Sequence, residues 1–119
     1  MRVELPVRER GICCDVRLDL EPATVAAGVE LLKALADPAR LQIIAALRVA
    51  TDPICVCDFT AALGLSQGTI SHHMGKLRQA GLVRVTKQGV WSFYQLDPGL
   101  PAATRRFLQD AVSIGSVRG

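Results

Sequence analysis

A chain of 119 residues, half of them hydrophobic, is sized for one domain with a modest core, and small chains of this kind often dimerise to complete their burial. Fourteen Lys and Arg against eleven Asp and Glu leave a formal charge of +3, which permits nucleic-acid binding without demanding it, while 4% aromatic residues argue against a single-strand binder that stacks bases. No run approaches the roughly 18 apolar residues of a membrane span, and Glu4, Arg8, Glu9 and Arg10 occupy the place of a signal peptide's apolar stretch, so a soluble, cytoplasmic protein is expected.

Residues 1–21 read as a charged arm without helical periodicity, carrying Cys13 and Cys14, and residues 22–119 as a single DNA-binding and dimerisation domain. Val25, Val29, Leu32 and Leu35 recur at helical spacing behind Pro22, predicting a first helix over 23–36. Asp37 followed by Pro38 is an N-cap with proline in the first turn. It opens a second helix whose inner face is Leu41, Ile44, Ala45 and Leu47 and which ends near Val49.

A short third helix is predicted to begin within Ile54–Val56 and to stop at Gly64, with Ser66 capping a fourth. The fourth carries Ile70, Met74 and Leu77 on one face and ends at Ala80 and Gly81. Two helices joined by Gly64-Leu65-Ser66 make a helix-turn-helix. Stepping about 100° per residue from that apolar face points Gly68, His72, Gly75 and Gln79 outward, with Thr69, Ser71 and Lys76 on the flanks. Gln67, Thr69, Ser71 and His72 therefore suit base edges, and Lys76 suits phosphate. His73 falls beside the apolar face and reads as a partly buried, hydrogen-bonded histidine; adjacent helical residues diverge too far for His72 and His73 to chelate well.

After Gly81 the period changes to two. Val83 and Val85 alternate with Arg84 and Thr86, Lys87-Gln88-Gly89 is taken as the turn, and Trp91, Phe93 and Gln95 alternate with Ser92 and Tyr94. This is a hairpin, or wing, whose Arg84, Lys87 and Gln88 are placed for phosphate or minor-groove contact and whose aromatics read as packing. Pro98 and Pro101 precede a last helix with Phe107, Ala111 and Ile114 on one face, and Arg105 and Arg106 read as solvated charges. The fold class is thus mainly α with a β-hairpin, a homodimeric winged helix-turn-helix. The stripes of the first and last helices are expected to pair across a two-fold axis.

The motifs Asp37-Pro38-Ala39-Arg40-Leu41, Leu65-Ser66-Gln67-Gly68-Thr69-Ile70-Ser71-His72-His73-Met74 and Leu77-Arg78-Gln79-Ala80-Gly81-Leu82-Val83 make residues 25–97 resemble the arsenic-repressor (ArsR/SmtB) family of winged-helix metal sensors. Ile54-Cys55-Val56-Cys57-Asp58 looks like that family's cysteine-bearing metal box. The resemblance implies a homodimer that binds double-stranded operator DNA when metal-free, its two fourth helices in successive major grooves, and lets go on metal binding.

In a reducing compartment four cysteines favour metal or redox chemistry over disulfides, and a helix N-terminus is expected to lower a nearby thiol pKa. Three sulfurs suit pyramidal As(III) or Sb(III); four suit Cd(II), and Pb(II) also accepts thiolates. The family associates cysteine-bearing arms with sites that join the arm of one subunit to the third helix of the other. Carried over, this assigns Cys13, Cys14 and Cys55, with Cys57 an optional fourth ligand or a packing residue. The alternatives are a cadmium or lead sensor using all four thiols and a thiol-redox repressor without metal. Residues 101–114 contain no His and only Asp110 as a carboxylate, which counts against the zinc site some members place there. Nothing resembles a nucleophile-base-acid series, a phosphate loop or a zinc-protease motif, so an enzyme is not expected.

Overall fold

A computed structural model describes residues 3–13 and 15–116. Among these residues five helices, α1 (Pro22–Leu35), α2 (Pro38–Val49), α3 (Val56–Leu63), α4 (Gln67–Gln79) and α5 (Ala102–Ser113), surround a small sheet of β1 (Ile54–Cys55), β2 (Val83–Gln88) and β3 (Trp91–Leu96). This is a winged helix-turn-helix. The described residues before α1 form neither helix nor strand.

The helix boundaries follow local chemistry. Asp37 has extended backbone and accepts a hydrogen bond from the Arg40 N–H at 3.1 Å, while Pro38 fills the first helical position, where no N–H is needed. Gly64 ends α3 at φ 67°, in the left-handed region glycine enters without a Cβ clash. Two residues later the Ser66 hydroxyl accepts from the Thr69 N–H at 3.2 Å and starts α4.

Ile43, Ile44, Ile70, Met74, Leu77 and Leu108 are wholly buried and join α2, α4 and α5 in one core. Period-two burial sends Val83 and Tyr94 of the hairpin onto it.

Several expectations are corrected. α3 begins at Val56, within the expected range, but Ile54 and Cys55 before it form a strand that was not expected: β1 pairs antiparallel with β3, Ile54 opposite Tyr94 and Cys55 opposite Phe93. The sheet order β1-β3-β2 makes the wing's second strand central. Lys87 and Gln88 belong to β2, opposite Ser92 and Trp91, and the turn is Gly89-Val90. Gly89 at φ 62°, followed by a residue of ordinary φ, is what a two-residue type II′ turn requires. In α2 the fully buried positions are Ile43 and Ile44, with Leu41 and Ala45 only half-buried. In α5 the anchor is Leu108; Phe107 and Ala111 are partly buried, and Ile114 lies beyond the helix and is exposed. Arg105 is not simply solvated, since its guanidinium donates to the carbonyls of Asp97, Pro98 and Leu100 and fastens the loop before α5.

Val25, Val29 and Leu32 remain 40–56% exposed along α1. Leu18 and Leu20 of the arm line a cavity with Val25 and extend the same apolar surface.

Candidate nucleic-acid interface and thiol cleft

The interface is built on α4. Its inward residues Ile70, Met74 and Leu77 lock the helix rotation, and Gln67, Thr69, Ser71, His72 and Lys76 are left exposed. The angular assignment of inward and outward residues therefore holds, except that Gly75 is half-buried. The Ser66 hydroxyl also donates to the Thr69 hydroxyl at 2.9 Å, so the side chain of Thr69 is engaged in the cap as well as facing outward.

His73 turns away from that surface. The Arg40 guanidinium, which can only donate, lies 3.0 Å from its Nδ1. The same Arg40 donates from Nε to the Ala34 carbonyl at 2.7 Å, clasping the end of α1, the start of α2 and the middle of α4. Asp37 Oδ2 stands 3.8 Å from His73 Nδ1. Its carboxyl is held below the ordinary carboxylate range, chiefly by the Arg40 backbone N–H, which outweighs the opposing effect of burial, and further by its neighbours His73 and Arg40. His73 is thus committed to a structural contact, as its position beside the apolar face suggested.

On the wing, Arg84, Lys87 and Gln88 are all exposed. Strand alternation puts Arg84 and Gln88 on one face and Lys87 on the other, so the basic hairpin presents two surfaces. Tyr94 packs into the core as expected of a wing aromatic, whereas Trp91 is 52% exposed.

Between α3, the first turns of α4 and the wing lies a cleft of about 580 Å³ whose walls include Cys55, Cys57, Gln67, Ser71, Trp91 and Tyr94. Sequence spacing did not reveal it, because the wing residues reach the thiols only through the β1–β3 pairing. Cys55 is buried at the N-cap of α3, its N–H donating to Asp58 Oδ2 at 3.3 Å. Cys57 is exposed. Contrary to the expectation of a lowered thiol pKa at this helix start, the Cys57 thiol is pushed up, first by hydrogen bonding to the neighbouring Cys55 side chain, then by desolvation and by the proximity of Cys55 and Asp58. Cys13 is an exposed thiol of the arm, and Cys14 lies outside the described residues. Among the described residues no three His, Cys, Asp or Glu side chains of one chain come together to hold an ion, so Cys13 does not join Cys55 and Cys57 within a subunit. No helix among them is long and apolar enough to cross a membrane.

Residues 37–85 match the family model of bacterial regulatory proteins of the arsR family. The chain is similar to the arsenical resistance operon repressor of Escherichia coli, with 41% identity over 83 residues spanning 70% of each chain. It is also similar to a putative arsenical resistance operon repressor of Halobacterium salinarum, with 42% identity over 99 residues, 73% of this chain and 77% of that one. Among solved structures, HlyU from Vibrio cholerae superposes with a TM-score of 0.64 at 31% identity, covering 75% of this chain and 91% of the other.

Proposed function

The chain belongs to the arsR family of DNA-binding transcriptional regulators, and from that premise we propose that it is a cytoplasmic, homodimeric repressor released from its operator by trivalent arsenic or antimony. In this reading Cys13 and Cys14 of one subunit and Cys55 of its partner each give the metalloid one thiolate. The relatives' names, which concern arsenical resistance, support the ligand class. The exposed α1 stripe of Val25, Val29 and Leu32 supports the dimer, since a small core gains most by covering such a surface.

The observation that carries the reading is the position of Cys55. It belongs at once to the strand that pairs with the wing and to the N-cap of the helix that leads into α4, and it lines the cleft these elements share. A ligand that draws its sulfur toward arm thiols acts on the joint between the two DNA-contacting elements. Gln67, Thr69, Ser71 and His72 would read bases, and Lys76, Arg84, Lys87 and Gln88 would hold the backbone. Release then needs only that the ligand bind the DNA-free arrangement better, a coupling of about 1–3 kcal/mol in typical systems. The three thiols fit the donor chemistry, because a soft trivalent centre takes three sulfurs in a pyramid.

Cys57 supports a second reading. It shares the cleft with Cys55, so a four-sulfur site for Cd(II) or Pb(II) would take Cys57 as its fourth donor.

The test uses a duplex selected from a random pool by the wild-type protein, with Trp91, the only tryptophan, as a fluorescence reporter in the cleft. Cys13→Ser, Cys14→Ser and Cys55→Ser should each bind DNA normally yet ignore arsenite, while Cys57→Ser keeps most of the response. Mixing Cys14→Ser with Cys55→Ser subunits should restore one intersubunit site and part of the release. Arsenite release that survives loss of both arm thiols overturns the arsenic site; loss of response in Cys57→Ser as complete as in Cys55→Ser favours the four-thiol alternative.

A further inference from the structure

The groove-facing line of α4, through His72 and Gln79, has a cleft on each side. One is the thiol cleft beside Gln67 and Ser71. The other, of about 280 Å³, lies between the last turn of α1, the first turn of α2 and the second half of α4, and its polar lining is Glu30, Lys33, Arg40, Lys76 and Gln79. We propose that this second cleft seats one backbone phosphate of the bound duplex, held by Lys33, Arg40 and Lys76. The proposal rests on α4 being the groove-reading helix, and it adds to that surface two residues, Lys33 and Arg40, and a defined site.

Helix and groove dimensions require phosphate near this place. A helix with side chains is about 10–12 Å across and the B-form major groove is about 12 Å wide, so a helix seated there has a phosphodiester strand along both flanks. On the thiol side the wing brings Arg84 and Lys87. On the opposite side this cleft brings Lys33 and Arg40 to the α4 flank.

The donors are arranged for an anion. Arg40 is held by two bonds, Nε to the Ala34 carbonyl and Nη1 to His73 Nδ1, which fix the plane of its fork and leave its other N–H groups to the cleft. A pre-oriented guanidinium loses little rotamer freedom when it takes a phosphate oxygen. Lys33 has only a long contact with Glu30, at 4.0 Å between side chains more than 70% exposed, a pair weak enough to yield to a phosphate. Lys76 is exposed on the same flank. The one carboxylate lining the cleft, Glu30, opposes an anion. The Asp37 carboxylate is turned to the Arg40 backbone N–H and to His73.

Binding to the selected duplex and to random duplexes, followed against salt, supplies the test. Lys33→Gln and Lys76→Gln should each weaken both duplexes by the same factor and reduce the slope of log affinity against log salt by about 0.9, which corresponds to roughly fivefold at 0.15 M salt. Glu30→Gln should strengthen both. Arg40→Lys keeps the charge and loses the fork, so it should weaken both duplexes while leaving the slope unchanged. Replacing phosphates one at a time with neutral methylphosphonate should reveal one sensitive position per half-site for the wild type, and the Lys33→Gln/Lys76→Gln variant should be indifferent there. An unchanged slope in Lys33→Gln, together with the same methylphosphonate sensitivity in the double variant, overturns the proposal. So does a double variant that binds DNA normally but has lost binding of inorganic phosphate, since the cleft is then a free-anion site. If His72→Ala still relaxes sequence preference in those cases, the groove-reading role of α4 stands and only the phosphate cleft falls.

Discussion

Asp37→Ala isolates the clasp that ties α2 to α4. The substitution removes the carboxylate that accepts from the Arg40 N–H at 3.1 Å and stands 3.8 Å from His73 Nδ1. The bond lost is the N-cap of α2, which costs about 1 kcal/mol. For a chain of this size that is a fall in Tm of about 4 °C, measured by thermal unfolding at one fixed protein concentration because a dimer's Tm depends on it. The pH dependence has a definite sign. The folded-state pKa of Asp37 lies below its ordinary 3.8, so its stabilisation is complete above pH 3.8 and is lost as pH falls through the lower folded value. The gap between wild type and Asp37→Ala should therefore be full at neutral pH and narrow as the pH falls below about 3.8, by the part of the cap that depends on the charge. Asp37→Asn retains a capping oxygen without the charge, so at pH 7.5 it should fall between the wild type and Asp37→Ala and should lack the acid-dependent step. Equal stability of Asp37→Ala and wild type at pH 7.5 would refute the capping argument, and a gap that persists undiminished below pH 3 would refute the electrostatic one.

His72→Ala should weaken binding to the selected duplex and relax sequence discrimination, whereas Lys87→Ala should weaken all duplexes alike and lower the salt slope by about one; competition titrations at several salt concentrations separate the two, and unchanged affinity in both would remove them from the interface. Val29→Glu with Leu32→Glu puts two charges into the exposed α1 stripe and should convert a sedimenting dimer into a monomer with reduced operator affinity, while a variant that sediments as the wild type would place the dimer interface elsewhere.

What the sequence disclosed were features written in a few adjacent residues or one helical period. Asp37-Pro38, Gly64 and Ser66 mark helix ends because each solves a local hydrogen-bonding or dihedral problem, and they do so here as expected. The rotation of α4 was readable because three large apolar side chains at i, i+4 and i+7 leave one way to bury them. β1 was not readable: two residues carry no period, and Ile54 and Cys55 are extended only because β3, nearly forty residues later, offers them partners. That single non-local pairing moved Cys55 out of a helical turn and gave it the wing as a neighbour. The turn was misplaced by two residues because Lys87 and Gln88 look polar enough for a loop, although Gly89-Val90 alone supplies the dihedral a two-residue hairpin needs. In α5, Phe107, Ala111 and Ile114 matched a helical stripe, yet Leu108 is the buried residue, since an amphipathic helix with an apolar residue on either side of the stripe leaves its rotation to the surface it meets.

The same pairing bears on how a thiol ligand could move DNA-binding elements without unfolding the protein. β1 is only two residues long and sits at the sheet edge, its outward Cys55 N–H already taken by Asp58. Hydrogen bonds of this kind contribute about 0.5–1.5 kcal/mol each in net terms, so the strand's attachment to β3 is of the same order as the 1–3 kcal/mol of a typical allosteric coupling. The core beneath is of a different order. Ile43, Ile44, Ile70, Met74 and Leu77 are wholly buried, and truncating even one such side chain to alanine costs about 2–5 kcal/mol. A sulfur-seeking ligand acting on Cys55 therefore meets a joint it can displace and a platform it cannot. The wing and the start of α3 would shift together, while α4 keeps its inward face and loses only its alignment with the hairpin.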